Sequence, residues 1–508
     1  MKHLWNLKSR RFMIPVLSMI IGVVFYTTGR VAVPNNTLYH EPFRPQFHYS
    51  PPCCWMNDPN GMVYLDGEYH LFYQYNPEAM VWGPMHWGHA VSTDLIHWQT
   101  LPIALAPDQN GTIFSGSAVI DTDNTAGFGK NAMVAVYSYD SQSQGIAYST
   151  DRGRTWTKYA SNPVIPALAK DFRDPKVFWH ADSREWVMVI SAGHEVRIFT
   201  SPNLREWTFS SRFAGGNTMG TWEVPDLLPL QLNGETRWVL LVSSSNFAPA
   251  GGNGVQYFIG SFDGHTFTND DPTKTLWLDY GPDNYAGTTW SNEPNGKQIY
   301  IGWMNNWAYG DRIPTSPWRG ATTLPRELQL AQTPDGIRLV QTPIAALVSL
   351  RTPIGTWDNL NVTGEQPLDK VHSRTLEIIA DFDPGNAQRF GFDVHYGPDA
   401  HTRIVYNKKQ AQLFISRTTF APDGSDISGF TPAFGAPVAV VDGHIRMHLF
   451  VDESSVEVFA NDGITVLTAQ TFVNPANDGV AVFADSGSAV VRHLEVYAVA
   501  SVWPKVAG

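Results

Sequence analysis

Four times along this chain a serine opens a short polar turn that closes on an aromatic: STDLIHW at 92–98, STDRGRTW at 149–156, SPNLREW at 201–207 and, more loosely, SFDGHTF at 261–267. The copies recur roughly every 50 to 60 residues, the length of one four-stranded blade plus a long loop. Each copy is expected to be an outer hairpin of its blade. Between them lie runs rich in Val, Ile, Trp and Tyr, at 133–139, 177–178, 186–191, 238–243, 257–261 and 299–304, bounded by Gly, Pro, Asn and Asp and read as strands. Four copies and a fifth unit ending near residue 330 predict a five-bladed β-propeller over 40–330. Blades converge on an axis, so motifs far apart in sequence can meet there.

From 331 to 357 the TPDG and TP pairs mark turns, and this stretch reads as a linker. Beyond it, alternating segments at 375–382, 390–396, 403–407, 411–416, 446–450, 455–459, 466–472 and 490–498 follow at short spacing, which predicts a β-sandwich over 358–504. The composition points the same way: 13% aromatics, 42 Gly and 35 Pro against 16% charged residues favour strands and turns, so the fold class is all-β.

Lys2, Lys8, Arg10 and Arg11 precede an apolar stretch, 12–26, that is broken only by Ser18 and Pro15. A charged start and an apolar run too short for a membrane span form a secretory layout, with the leader over 1–33. The following TTGRVAV lacks a clean small-x-small cleavage site, so an uncleaved anchor stays open beside cleavage. Secretion to the periplasm or the medium, with or without that anchor, is the expected location. The net charge of −12 disfavours nucleic acid or an anionic membrane surface as a partner and suits a neutral substrate. The sequence carries no signal of oligomeric state.

The two cysteines, Cys53 and Cys54, are neighbours. A disulfide between them would close a strained ring, so two buried thiols are expected, with a vicinal or intermolecular disulfide as the alternatives. They have no partners elsewhere to make a zinc site, and His86, His89 and His97 form no ligand pattern. With no P-loop or dinucleotide fingerprint either, neither metal nor cofactor is expected.

Three acidic motifs stand out. In WMNDPNG, 55–61, Pro59 moves Asp58 away from helical geometry and Asn60-Gly61 favours a tight turn, so Asp58 is expected on a turn walled by aromatics. A plain Asx turn is the other reading. Sugars suit such a place, offering hydroxyls to carboxylates and C–H faces to Trp. In KDFRDPKV, Arg173 is expected to keep Asp174 ionised, unless the two form a surface ion pair. In WEVPDL, Glu223 sits between Trp222 and Val224, an apolar setting that would raise its pKa; a strand-end acid facing solvent is the alternative. On successive repeat units the three are far more specific than any one. Retaining glycoside hydrolysis needs a nucleophilic carboxylate and a protonated carboxyl ~5–5.5 Å apart. Asp58 is assigned as nucleophile, and Glu223 as acid and then base.

WMNDPNG followed by FYQYNP resembles the start of glycoside hydrolase family 32, the fructan hydrolases and invertases. The resemblance implies the same roles for Asp58 and Glu223, and makes Asp174 the residue that holds the fructosyl hydroxyls as the ring flattens. Matches to family subsite motifs imply that Asn57, Gln74, Trp82, Phe114 and Ser115 bind substrate, together with Arg173, and Trp318 within GWMNNWAYGDRIPTSPWRGATTLPREL (302–328). By composition alone these Trp residues read as packing. Val224 stands where many members have Cys, a position expected to tune the acidity of Glu223. VDESSVEVFANDG, 451–463, looks like the family's C-terminal module.

The activity so implied is release of terminal fructose from levan, inulin and sucrose with retention. LDYGPDNYAGTTW and GWMNNW look more like exo-acting levanases and inulinases than plant invertases. A fructosyltransferase making fructo-oligosaccharides would use the same residues. A non-catalytic fructan-binding protein would be marked by loss of one of the three acids, and all three are present.

Overall fold

The computed structural model describes residues 38–417 and 427–504; the leader or anchor expected over 1–33 lies outside them. Five sheets form the blades of a propeller. The first is β1 (Cys54–Leu65), β2 (Glu68–Asn76), β3 (His86–Ser92) and β4 (Gln99–Leu105). The second is β5 (Ile113–Asp121), β6 (Ala132–Tyr139), β7 (Gln144–Ser149) and β8 (Thr157–Lys158). The third is β9 (Phe172–His180), β10 (Glu185–Ala192), β11 (Val196–Ser201) and β12 (Thr208–Phe213). The fourth is β13 (Trp222–Leu232), β14 (Glu235–Ser244), β15 (Gly254–Phe262) and β16 (Phe267–Asn269), with β17 (Leu276–Trp277) also paired to β15. The fifth is β18 (Tyr285–Thr289), β19 (Ile299–Trp303), β21 (Arg326–Thr333) and β22 (Gly336–Pro343). Within blades the strands are antiparallel, and the first of each blade lies innermost, next to the first strands of its neighbours. β20 (Trp318–Arg319) runs parallel to Cys54 and Trp55 and closes the ring on the first blade.

The serine-to-aromatic repeat is the turn between third and fourth strands, as expected of an outer hairpin. In the first blade Ser92 Oγ accepts from the N–H groups of Asp94 and Leu95, and Asp94 Oδ1 accepts from those of Ile96 and His97. Leu95 then takes a φ of 70°, which aims its carbonyl at the Trp98 indole N–H, 3.1 Å away. Trp156 reaches the Gly153 carbonyl at 3.1 Å and Trp207 that of Leu204 at 3.0 Å. The fourth copy ends in Phe267, which has no N–H to give, and only the Asp263 part of the network persists. Hydrogen-bond chemistry thus explains both the repeat and its loosest copy.

Residues 331–357 are not a linker. Ala331–Thr333 finishes β21, the TPDG segment is a two-residue hairpin turn, and 336–343 is the outermost strand of the fifth blade. Turn residues mark hairpins and linkers alike; the alternation on both sides of TPDG is what separates them. A 3-10 turn, Ala345–Leu350, buries Leu347 and Leu350 and leads into the second module.

That module is a sandwich whose two layers share a bent strand. It comprises β23 (Arg351–His372), β24 (Leu376–Asp383), β25 (Arg389–Tyr396), β26 (Thr402–Asn407), β27 (Gln412–Arg417), β28 (Ala433–Pro437), β29 (Ile445–Asp452), β30 (Ser455–Ala460), β31 (Thr465–Gln470) and β32 (Gly479–Val499). The first part of β32 pairs with β25 and its last part with β24, so both layers are hydrogen-bonded into one ten-stranded sheet around a single apolar core. Buried charges join the modules. Arg326 of β21 binds Asp279 and Glu457; Arg417 binds Asp283 at 2.7 Å; and His48 lies between Asp452 and Glu457 at 2.7 and 2.8 Å.

Candidate active site

All five innermost strands are interrupted at one level by a bulge in which two residues face one on the partner strand. The pairs are Asn57-Asp58 against Gln74, Phe114-Ser115 against Ser138, Asp174-Pro175 against Ile190, Val224-Pro225 against Val242, and Ala286-Gly287 against Gly302. A bulge bends its strand and re-aims side chains, and five in a ring turn a set of residues toward one point on the axis. Asp58 is therefore on a bulged strand, not on the expected turn. Pro59 is tolerated there because a bulge relieves the ladder of one N–H, and Gly61, at φ 54°, supplies the next bend.

A cavity of about 360 Å³ lies at that point, lined by Asn57, Asp58, Gln74, Trp82, Phe114, Ser115, Arg173, Asp174, Glu223 and Trp307. Asp58, Asp174 and Glu223 come from the first, third and fourth blades; the second, between them, contributes Phe114 and Ser115. Asp58 Oδ2 accepts from Ser115 Oγ at 2.6 Å and Oδ1 from Asn57 Nδ2 at 2.8 Å, while Asn57 is itself held by the Trp55 indole. Burial, with the Glu223 charge adding to it, pushes the Asp58 carboxyl up to about 6 against the pull of these hydrogen bonds.

Arg173 acts differently from the expectation. Its guanidinium is held by Asp171 and Gln142 and donates to Glu223 Oε1 at 2.8 Å, whereas Asp174 Oδ2 is 4.0 Å away. Asp174 accordingly receives no hydrogen bond from its neighbour, only the influence of its charge. Burial pushes its carboxyl up, Arg173 opposes this, and the Glu223 and Asp58 charges reinforce it. Its Oδ2 accepts from the Val224 N–H at 3.1 Å. Val224 has a φ of 43°, a strained conformation for a β-branched residue, and this bond across blades helps hold it. Glu223 is not in the apolar setting predicted: Trp222 and Val224 are buried beside it, but its carboxylate meets Arg173 and the Tyr285 hydroxyl.

Trp82 stands half exposed at the rim, edge-on to Phe114 at 5.8 Å, on a loop pinned by Asn76 to the carbonyls of Val81 and Gly83. Gln74 lies under the first bulge, with Nε2 3.3 Å from Asn60 Oδ1. Trp318 is not brought to the cavity. It is fully buried in the closing strand, beneath the Arg44 guanidinium. Besides Trp82, the cavity is lined by Trp307, stacked on Trp55. Trp307 and Tyr285 lie in the stretches GWMNNWAYG and LDYGPDNYAGTTW, but nothing local in the sequence separates an aromatic that serves the site from one that only packs.

Cys53 and Cys54, just before the bulge, are free thiols, Cys54 buried and Cys53 half-buried. Among the described residues no group of three or more His, Cys, Asp or Glu is gathered as metal ligands would be.

Two family models match the chain: Glycosyl hydrolases family 32 N-terminal domain over residues 48–343 and Glycosyl hydrolases family 32 C terminal over 346–498. A levanase of Bacillus subtilis (strain 168) is 47% identical over 493 residues, spanning 92% of this chain and 72% of that protein. An extracellular exo-inulinase of Aspergillus awamori is 40% identical, spanning 92% and 96%. The crystal structure of exo-inulinase from Aspergillus awamori superposes with a TM-score of 0.86 at 36% identity, covering 92% of this chain and all of that one.

Proposed function

Since the chain belongs to glycoside hydrolase family 32, we propose that it releases terminal fructose from β-fructans, levan and inulin, and from sucrose, with retention of configuration. The observation that carries this reading is the convergence of Asp58, Asp174 and Glu223 on one axial cavity. The extracellular exo-inulinase relative, 40% identical to this chain, supports exo action.

Asp58 is the nucleophile. Its carboxylate bonds to C2 of the terminal fructosyl unit as the bond from C2 to the glycosidic oxygen breaks, and Glu223 gives its proton to that departing oxygen. Glu223, now a carboxylate, takes a proton from water while the water oxygen attacks C2 and frees Asp58. Asp174, with Asn57 and Gln74, accepts and donates hydrogen bonds to the fructosyl hydroxyls, and these bonds strengthen as the ring flattens. Ser115 and Asn57 hold the Asp58 carboxylate in line, and Arg173 with Tyr285 holds Glu223. Trp82 and Trp307 offer ring faces to the sugar.

The apolar stretch at 12–26 and the extracellular designation of the exo-inulinase relative support export. Among the described residues no helix is long and apolar enough to cross a membrane. The test is chromatography of products from levan, inulin and sucrose over time, with Asp58→Ala as blank. Fructose alone and early from a fructan is the expected result. A ladder of oligosaccharides would mean endo cleavage or transfer, and no product would overturn the reading.

A further inference from the structure

A second cavity, of about 340 Å³, lies further along the same inner strands, at the far end of the axis. Trp179, in its wall, is five residues beyond Asp174 on β9, about 16 Å of strand. At its floor Lys176 Nζ donates to Asp226 Oδ2 at 3.1 Å and to the Thr289 carbonyl at 2.7 Å. Asp226 Oδ2 also accepts from Thr289 N–H and Oγ1, yet the buried Oδ1 has no hydrogen-bond partner among the described residues. Lys176 offsets the charge of Asp226, so the unmatched oxygen calls for a neutral hydroxyl donor rather than a cation. The wall is aromatic: Trp179 is 41% exposed, braced edge-on by Trp186 at 5.2 Å, with Trp238 on another side.

A ring face beside a buried acceptor is what a sugar ring requires, and the volume suits one or two rings. We propose that this distal cavity is a second, non-catalytic carbohydrate site, taking one sugar ring of a fructan stacked on Trp179 with a hydroxyl donated to Asp226. Only the identity of the sugar rests on the fructan-hydrolase reading. Because the site opens away from the carboxylate cavity, it holds a distant part of the polymer, or a neighbouring chain, while another end is cut. It therefore raises the effective concentration of polymeric substrate and leaves small substrates untouched.

The test uses the full chain with Asp58→Ala, run through gels containing levan, inulin or dextran, with and without Trp179→Ala or Trp179→Phe. Trp179→Ala is expected to weaken retardation by levan or inulin about three-fold or more, with Phe recovering most of it. In the enzyme with Asp58 intact, Trp179→Ala should raise KM for levan by a similar factor and leave kcat/KM on sucrose within about two-fold. Equal behaviour of Trp179→Ala and its parent in the gels, equal losses in the Ala and Phe variants, or no retardation of the parent by any fructan would overturn the proposal. Retardation that depends on Trp179 in a protein with no fructan hydrolysis would sink the functional reading and leave this one standing.

Discussion

Arg173 donates to Glu223 of the next blade, Nη2 to Oε1 at 2.8 Å, and passes its own sequence neighbour Asp174 at 4.0 Å. Glu223 of the fourth blade is thereby tied to the third through one guanidinium, which is fixed in turn by Asp171 and Gln142. The buried Asp174 is left to the Val224 N–H and to whatever hydroxyls a substrate brings.

Replacing Asp58 by Ala removes the group that bonds to C2. Turnover is expected to fall by about 10⁴-fold or more on every substrate. The check is loss of the fructosyl-enzyme adduct by mass spectrometry of quenched reactions, with thermal unfolding unchanged.

Glu223→Ala should separate protonation from attack. With a poor alkoxide leaving group kcat/KM falls by about 10²–10⁴-fold, while an activated aryl fructoside, which leaves without a proton, loses far less in the first step. Equal losses on the two substrates would count against Glu223 as the acid.

Ser115→Ala deletes the 2.6 Å hydrogen bond that steadies the ionised Asp58. The nucleophile acts as carboxylate, so activity is lost as the pH falls through its pKa, raised already to about 6. Without Ser115 the pKa rises further, and the acid limb of kcat/KM is expected to move up by about one pH unit. A limb that stays in place would show that another group sets it.

Arg417→Leu leaves Asp283 buried without its 2.7 Å partner at the joint between propeller and sandwich. Breaking a buried pair on one side costs about 3–5 kcal/mol. A lowered urea midpoint with unaltered kinetics of the surviving native protein is the expected outcome.

His48 carries a stability signal of opposite sign to an acid. Burial alone would lower its pKa, but the carboxylates of Asp452 and Glu457 on its two ring nitrogens raise it to about 9. The stability this charge contributes is fully present below about 6.5 and is lost as the pH rises through about 9. The unfolding temperature should fall over that window, and His48→Gln should lower it at pH ~6 and flatten the slope.

Legible in the sequence alone were the blades and the three acids. The serine turns could be counted because each is a self-contained set of hydrogen bonds, from Ser92 to Trp98 or from Ser149 to Trp156, that must be written locally. The acids stood out because WMNDPNG, RDP and WEVPDL are short and unusual. Tertiary structure alone decided the partners of those side chains. No local rule sends Arg173 past Asp174 to Glu223, converts the Asp58 turn into one of five bulges at a common level, or buries Trp318 while Trp307 lines the cavity. The hydrogen bonds of each serine turn act between near neighbours, so their pattern appears in the sequence. Burial and charge act across blades that meet at an axis, between residues 49 to 165 positions apart such as Asp58, Asp174 and Glu223, and exist only once the ring has closed.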